Sequence, residues 1–440
     1  MLVGANRSIA PPLKRTGYMP PGFHLLLSAQ FASALADNAL LIVAIATLME
    51  QGLPGWWAPL LKFSFTISYV VLAPFVGPLA DAFPKARLMA WMNGVKIVGV
   101  LGLLAGVHPV MAYAVVGLGA AAYAPAKYGL VTEMVEQHRL VMANSWIEVS
   151  IVCAALLGTV LGGVLVGDWA RDSEVAQLTR DWLHSLGVFP LSSLILSMLV
   201  LLFVYGIASL LNLGVPDSGA RYPPSGMQPI ALTRSFRIAN RTLWRDRDGG
   251  LSLAVTTLFW GVGATLQFAV LKWAVEALGL TLAKAAYLQA AVAVGVIVGA
   301  TVAGRFVRMD SAKRVLPAGV ALGLLMPVVA SVDSVAVAVP LLALVGAVGG
   351  FLVVPMNALL QHRGYQVLSA GRSIAVQGFN ENLSILIMLA AYAGLVAVDV
   401  PITVLLWGLG LSIAAAIVFI MRHEQLRPPA TLDAMPTRPG

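Results

Sequence analysis

The side chains with chemistry to offer are a few charges embedded in otherwise apolar sequence. They are Asp37, Lys96, Lys127, Glu148 and Glu381, with Lys62, Lys272 and Glu276 nearer the ends of their runs. An ionised group at mid-bilayer costs about 2.5–3.5 kcal/mol on insertion scales, so each needs a partner or a water-lined cavity. Asp37, followed by Asn38, falls near the middle of its run and reads as a carboxylate facing a polar cavity. The alternative is a hydrogen-bond hub joining neighbouring helices. Lys127 and Glu148 lie at similar depth on consecutive runs that cross in opposite directions, a spacing that suits an ion pair or shared contact with a substrate. Glu381, between Asn380 and Asn382, has no evident partner, while Lys96 has the reach for Glu381, Asp37 or Glu148. Lys62 and Lys272 read as cations snorkelling to water. Glu276, four residues after Lys272, reads as its surface ion-pair partner.

Nothing in this set is an enzyme's catalytic constellation. His24, His108, His138, His184, His362 and His423 are scattered over loops and run ends, so neither a metal cluster nor a proton wire is expected. The single cysteine, Cys153, lies in an apolar run and reads as a packed core residue. A nucleotide-binding glycine loop with its lysine is missing, so ATP is not expected to drive the protein, and no cofactor is implied.

The elements that position these charges follow from composition. Of 440 residues, 59% are hydrophobic and 11% charged, against about 25% charged in soluble domains. Twelve apolar runs, at about 24–48, 57–80, 88–107, 109–132, 143–167, 189–213, 251–278, 281–304, 314–332, 336–360, 370–396 and 399–421, are each long enough to cross a bilayer as a helix. The alternation of a barrel strand is missing from them.

Lys and Arg crowd one side: Arg7, Lys14, Arg15, Lys85, Arg87 and Arg139 begin a series that continues through the later loops. Only Arg171, Arg180 and Lys284 fall on the other, where Trp56 and Trp57 suit the interface. The positive-inside rule then makes both termini cytoplasmic and explains the net charge of +8 without a nucleic-acid partner.

The expected organisation is a six-helix half over 1–213, a cytoplasmic linker over 214–250, a second half over 251–421 and a tail over 422–440. Pro223, Pro224 and Pro229 keep the start of the linker irregular, and 231–247 suits either a basic amphipathic helix or a solvated segment. The halves look like repeats, since glycine-rich stretches precede Pro125 and Lys127 in the fourth run and Pro355 and Asn357 in the tenth. Gly158, Gly162, Gly163 and Gly167 give the fifth run small-residue faces for close packing.

Between the second and third runs the chain reads G-P-L-A-D-A-F-P-K-A-R, from Gly77 to Arg87. This resembles the loop signature of major facilitator transporters, with Ala82 and Pro84 as departures. Gly77 permits close helix approach, and Asp81 suits capping a neighbouring helix N-terminus or pairing with a base. With Lys85 and Arg87 these residues make a candidate conformational latch.

Longer stretches are similar to one family within that superfamily. Gln30-Phe31 with Ala36 to Leu41, Ala73 to Gly77, Gly119 to Gly129, Leu258 to Gly261, Gly349 to Phe351, Val354 to Gln361, and Ile374 to Gln377 with Glu381-Asn382 resemble the bacterial lysophospholipid transporter (LplT) family. The resemblance implies an all-α fold of twelve transmembrane helices in two six-helix pseudo-repeats. It also implies transport of lysophosphatidylethanolamine and lysophosphatidylglycerol from the outer to the inner leaflet of the bacterial inner membrane, for reacylation by a cytoplasmic acyltransferase. It places the family's acidic headgroup contact on Asp37, and puts Gln267 where the family carries an arginine, with Lys272 as a candidate replacement. The expected substrate contacts are Asp37, Asn38, Lys127, Glu148, Gln267, Asn357 and Glu381, in a monomer embedded in membrane lipid. A proton-coupled exporter, in which Asp37 and Glu381 titrate, and a non-transporting recruiter of the acyltransferase are the competing readings.

Overall fold

The computed structural model describes residues 19–53, 57–167, 170, 172–185, 193–222 and 228–426. Arg7, Lys14, Arg15, Trp56, Arg171, Pro223, Pro224 and the tail from residue 427 lie outside them. The helices are α1 Pro21–Glu50, α2 Trp57–Ala82, α3 Lys85–Leu104, α4 Pro109–Met134, α5 Leu140–Val166, α6 Glu174–Ser185 and α7 Ile195–Leu213. They continue with α8 Pro229–Arg245, α9 Arg247–Glu276, α10 Leu282–Phe306, α11 Leu316–Ala330, α12 Val335–Val367, α13 Ala370–Ala397 and α14 Ile402–Leu426.

Among the described residues twelve helical spans are long and apolar enough to cross a membrane, the ninth being α11 together with the 3-10 turn Met309–Val315 that leads into it, and there is no strand. Helices suit such a sequence because each one satisfies its own backbone hydrogen bonds, leaving no open sheet edge in lipid. Several run past the apolar stretch: α12 continues through Gln361, His362 and Arg363 to Val367. The helices α6 and α8 are the polar exceptions.

Glycine sets the closest helix contacts. Gly295 and Gly299 on α10 lie against the backbone of Ala343 and Ala347 on α12, while Gly346 and Gly350 on α12 lie against Val292 and Val296. A Cβ has no room at any of the four. The reciprocal four-residue spacing lets both backbones approach closely, the usual route to tight packing where lipid removes the hydrophobic drive. In the first half, Gly158 and Gly162 of α5 receive α1 at Leu35, Ala39 and Ile42, whereas Gly163 faces open space. The glycine repeat therefore packs on one face only.

One end of the bundle is tied by ion pairs. In the first half Lys85 pairs with Glu133 at 2.7 Å, almost fully buried, and Tyr222 and Ser218 also donate to Glu133. In the second, Lys313 bonds Asp248 and Glu424, Arg247 reaches Glu424 at 2.8 Å, and Arg363 holds Asp246 at 2.9 Å. The linker helix α8 docks rather than floating: Leu232, Ala239 and Leu243 are buried. Trp244 Nε1 donates to Asn380 at 3.1 Å, and Asn380 in turn donates to Asn240 at 2.9 Å. Its Arg234, Arg237, Arg241 and Arg245 are exposed along one stripe.

The two halves meet through α2 with α13, α5 with α10, and α12 with α4 and α5. Hydrogen bonds between the halves lie at the basic end. Asn144 and Gln361 exchange two, at 2.9 and 2.8 Å. Asp81 accepts from the Gly371 N–H at 2.9 Å and from the Ser369 hydroxyl. The bundle is therefore sealed at its basic end.

Candidate functional site

Asp37 is a hub. Both its oxygens take hydrogen bonds from Lys96 Nζ, at 2.8 and 2.7 Å, and one also accepts from Tyr205 at 2.7 Å. Lys96 donates further to Ser33 at 2.9 Å, and Ser33 to Asn93 at 2.8 Å. The Lys96 side chain is 2% exposed and that of Asp37 16%, so the pair is sunk among α1, α3 and α7 with the carboxylate at its rim. Lys96 thus resolves to Asp37 among the three acids within its reach. Every one of these partners belongs to the first half.

The second layer is built differently. Lys127 Nζ donates to Gln30 Oε1 at 3.1 Å and lies 4.2 Å from the centroid of the Tyr128 ring. Gln30 is held in turn by its own bond to Ser150, 2.7 Å. Lys127 and Glu148 act on each other electrostatically but do not form a direct ion pair. Glu148 is buried and makes no hydrogen bond among the described residues. A fixed cation and an unengaged carboxylate therefore stand apart on adjacent helices.

Glu381 faces this layer from the second half, close enough to act on Glu148. It accepts from Gln377 Nε2 at 2.8 Å and lies beside Thr256, whose hydroxyl donates to Leu253 O at 3.3 Å. Gln377 also donates to Asn357 at 3.0 Å, while its own carbonyl oxygen is buried without a donor. The partner that sequence did not supply for Glu381 is thus an amide one turn earlier on the same helix.

Of the expected contacts, the structure gathers Lys127, Glu148, Asn357 and Glu381, with Asp37 one layer away. Asn38 does not join them. Its side chain donates to its own helix at Ala34 O, 2.8 Å, and its Cβ packs toward Gly158 of α5, one residue round from Asp37 and so on another face. Gln267 is exposed, and lies eleven residues along α9 from Thr256, about 16 Å of helix. Its place is outside the cluster, where its carbonyl accepts from Gln289 of α10 at 2.7 Å. Lys272 bonds Glu276 as the spacing suggested, and does not turn inward as a replacement cation.

The four residues expected to form a latch are only partly brought together. Asp81 caps the N-terminus of α13, and Gly77 brings α2 against it, where a Cβ would come 2.9 Å from the Arg372 Cα. Lys85 belongs instead to the Glu133 pair, and Arg87 is exposed without an ion pair among the described residues, so it is not part of the latch. The physical reason is helix rotation: Lys85 opens α3 facing α4, and Arg87, two residues on, points away.

Sequence reasoning missed Tyr205, Tyr128 and Thr256, and gave Gln30 and Gln377 no role of their own. An amide in mid-run carries the same desolvation logic as a charge, and would have marked both glutamines. The tyrosines carry no such signal, because their rings are at home in apolar sequence.

Comparison with known proteins follows the same lines. A family model described as Major Facilitator Superfamily matches residues 26–387. The lysophospholipid transporter LplT of Yersinia enterocolitica is 43% identical over 382 residues, covering 87% of this chain and 89% of that one. That of Yersinia pestis is 42% identical over 378 residues, 86% and 87% of the two chains. Among solved structures, a bacterial homologue of the iron transporter ferroportin superposes with TM-score 0.70 at 16% identity, over 93% of this chain and 100% of that one. The Escherichia coli fucose:proton symporter FucP gives 0.70 at 15% identity, over 91% and 98%. At such identity the two structures speak for the fold.

Proposed function

This chain belongs to the lysophospholipid transporter family of the major facilitator superfamily, and on that basis we propose that it carries lysophospholipids between membrane leaflets by alternating access. The expected substrates are lysophosphatidylethanolamine and lysophosphatidylglycerol, moved from the outer to the inner leaflet of a bacterial inner membrane. The observation that carries this reading is the separated pair Lys127 and Glu148, with Glu381 opposite. A phosphoethanolamine headgroup has an anion and a cation a few bonds apart. Lys127, steadied by Gln30, suits the phosphate, while Glu148, Glu381 and the free Gln377 carbonyl suit the ammonium. A directly paired Lys127 and Glu148 would already be spent. The Asp37–Lys96 pair lies beside this site and fixes the helices that frame it.

In this arrangement no bond is made or broken. The two halves rock about the charged layer, as in other transporters built from repeats. The basic end, with Lys85, Arg139, Arg305 and Arg363, is assigned to the cytoplasm by the positive-inside rule, so the sealed end faces inward. A cytoplasmic acyltransferase would then receive the lipid, and the arginine stripe of α8 lies on that side.

The test is uptake of labelled lysophosphatidylethanolamine by spheroplasts, with and without a protonophore, for the intact chain and for Glu148→Gln. Uptake above an empty-vector control that falls about tenfold in the variant supports the reading. Uptake no greater than the control sinks it. Uptake abolished by the protonophore would favour the exporter-like alternative.

A further inference from the structure

The four arginines of α8 form a cluster for which the bundle supplies no acid. Lys85, Arg247, Lys313 and Arg363, at the same end, each meet a carboxylate. Arg234, Arg237, Arg241 and Arg245 are exposed, and none has a hydrogen bond or ion pair among the described residues. From Pro229 to Arg245 the helix holds no Asp or Glu, so its own length offers them no i,i+4 partner.

Their neighbours on the exposed face are apolar. At about 100° per residue, Ile230, Arg234, Arg237, Ile238, Arg241 and Arg245 fall within an arc of about 100°, opposite the buried Leu232, Ala239 and Leu243. Ile230 is 86% exposed and Ile238 59%. A face turned to water alone gains nothing from isoleucines among its cations. The headgroup boundary of a leaflet takes both, with arginine on phosphate and isoleucine toward the acyl chains.

The docking of α8 sets this face beside the spanning helices. The Phe236 ring meets Phe379 of α13 edge-on at 5.2 Å, and Phe236 and Ala239 border a small cavity with Ala73 of α2 and Ala375 of α13. Ala73 stands nine residues before the end of α2 at Ala82, and Phe379 nine after the start of α13 at Ala370, about 14 Å of helix in each case. The helix therefore lies along the flank of the bundle, not beyond its end. Asn240 and Trp244, both bonded to Asn380, fix its rotation so that the arginines turn outward.

We propose that the outer face of α8 is a binding surface for anionic phospholipid in the leaflet at the basic end. The phosphates of net-negative headgroups, such as phosphatidylglycerol, seat between the arginines, while Ile230 and Ile238 dip among the acyl chains. Each guanidinium brings a fork of donors that matches two phosphate oxygens. This surface is separate from the charged layer around Lys127 and stands whatever that layer carries.

The experiment uses the full chain in phosphatidylcholine nanodiscs doped, at equal mole fraction, with photoreactive phosphatidylglycerol or photoreactive phosphatidylcholine. Peptide mass spectrometry reads the label on residues 229–245. In wild type the anionic probe should label this segment about tenfold more than the zwitterionic one, a preference that shrinks as salt is raised. Arg234→Gln, Arg237→Gln, Arg241→Gln and Arg245→Gln combined should bring the two probes to within about twofold of each other, whereas lysine at the same four positions should keep most of the preference. Since the four side chains are unpaired, thermal unfolding of the glutamine variant should match wild type, which separates lost binding from lost fold. Arg87→Gln with Arg308→Gln, exposed cations elsewhere at that end, should leave the labelling of α8 unchanged. Equal labelling by the two probes in wild type, no label on α8 from either, or a preference that survives in the glutamine variant overturns the proposal. So does its loss in the lysine variant, because surface charge is then not what the lipid reads.

Discussion

Two carboxylates of the first half, Asp37 on α1 and Glu148 on α5, face the same solvation problem and meet it in opposite ways. Asp37 is answered from within its own half by Lys96 and Tyr205. Glu148 has a cation nearby but nothing bound to it. A group whose partners are all local keeps them while the halves rock. Under the proposed function, a carboxylate left without a partner is the one free to meet a headgroup, and the difference would divide scaffold from site.

The largest effect that would break this contrast is at Lys96. Lys96→Ala leaves the Asp37 carboxylate nearly buried and uncompensated, so the detergent-solubilised protein should lose about 3–5 kcal/mol of stability. Thermal unfolding reads this as a marked fall in Tm, and Asp37→Asn added to Lys96→Ala should recover part of it. An unchanged Tm in Lys96→Ala would mean that the pair is not structural.

Glu148→Gln should have the opposite sign. Removing an unengaged buried charge relieves a desolvation cost of about 1–3 kcal/mol, so stability rises while transport falls. The loss should be greater for lysophosphatidylethanolamine than for lysophosphatidylglycerol, which lacks the ammonium. Parallel uptake of the two lipids reads this, and equal losses would place Glu148 off the headgroup's cationic end.

Hydropathy was enough for twelve helices, because a run of about 20 apolar residues has few other options. The Gly77 to Arg87 loop likewise showed that α2 would approach a neighbour, and Asp81 that a helix end would be capped. What the sequence could not rank was the pairing of Lys96, since three acids lay within its reach and only helix rotation chooses among them. Asn38 illustrates the same limit: adjacency to Asp37 in sequence puts it about 100° away around the helix. Lys62, read as an interfacial cation, is exposed in the second turn of α2, in keeping with its place near the end of its run.

Asp81 sharpens the contrast with a third kind of carboxylate, one answered from the other half. Its acceptors hold the Gly371 N–H and Ser369 hydroxyl at the start of α13, so it is satisfied only while the basic end is closed. Asp81→Ala removes a helix cap as well as the tie, worth about 1 kcal/mol, and should move the equilibrium between closed and open basic ends by roughly fivefold toward open. Spin labels on Arg87 and Arg308, both exposed at that end, would show a longer-distance population growing in the variant. The same pair measured in Lys96→Ala should keep the wild-type distribution in whatever fraction stays folded, because the Asp37 pair does not cross the halves. A shift of equal size in both variants would merge the two classes of carboxylate and leave Glu148 as the only one distinguished by its surroundings.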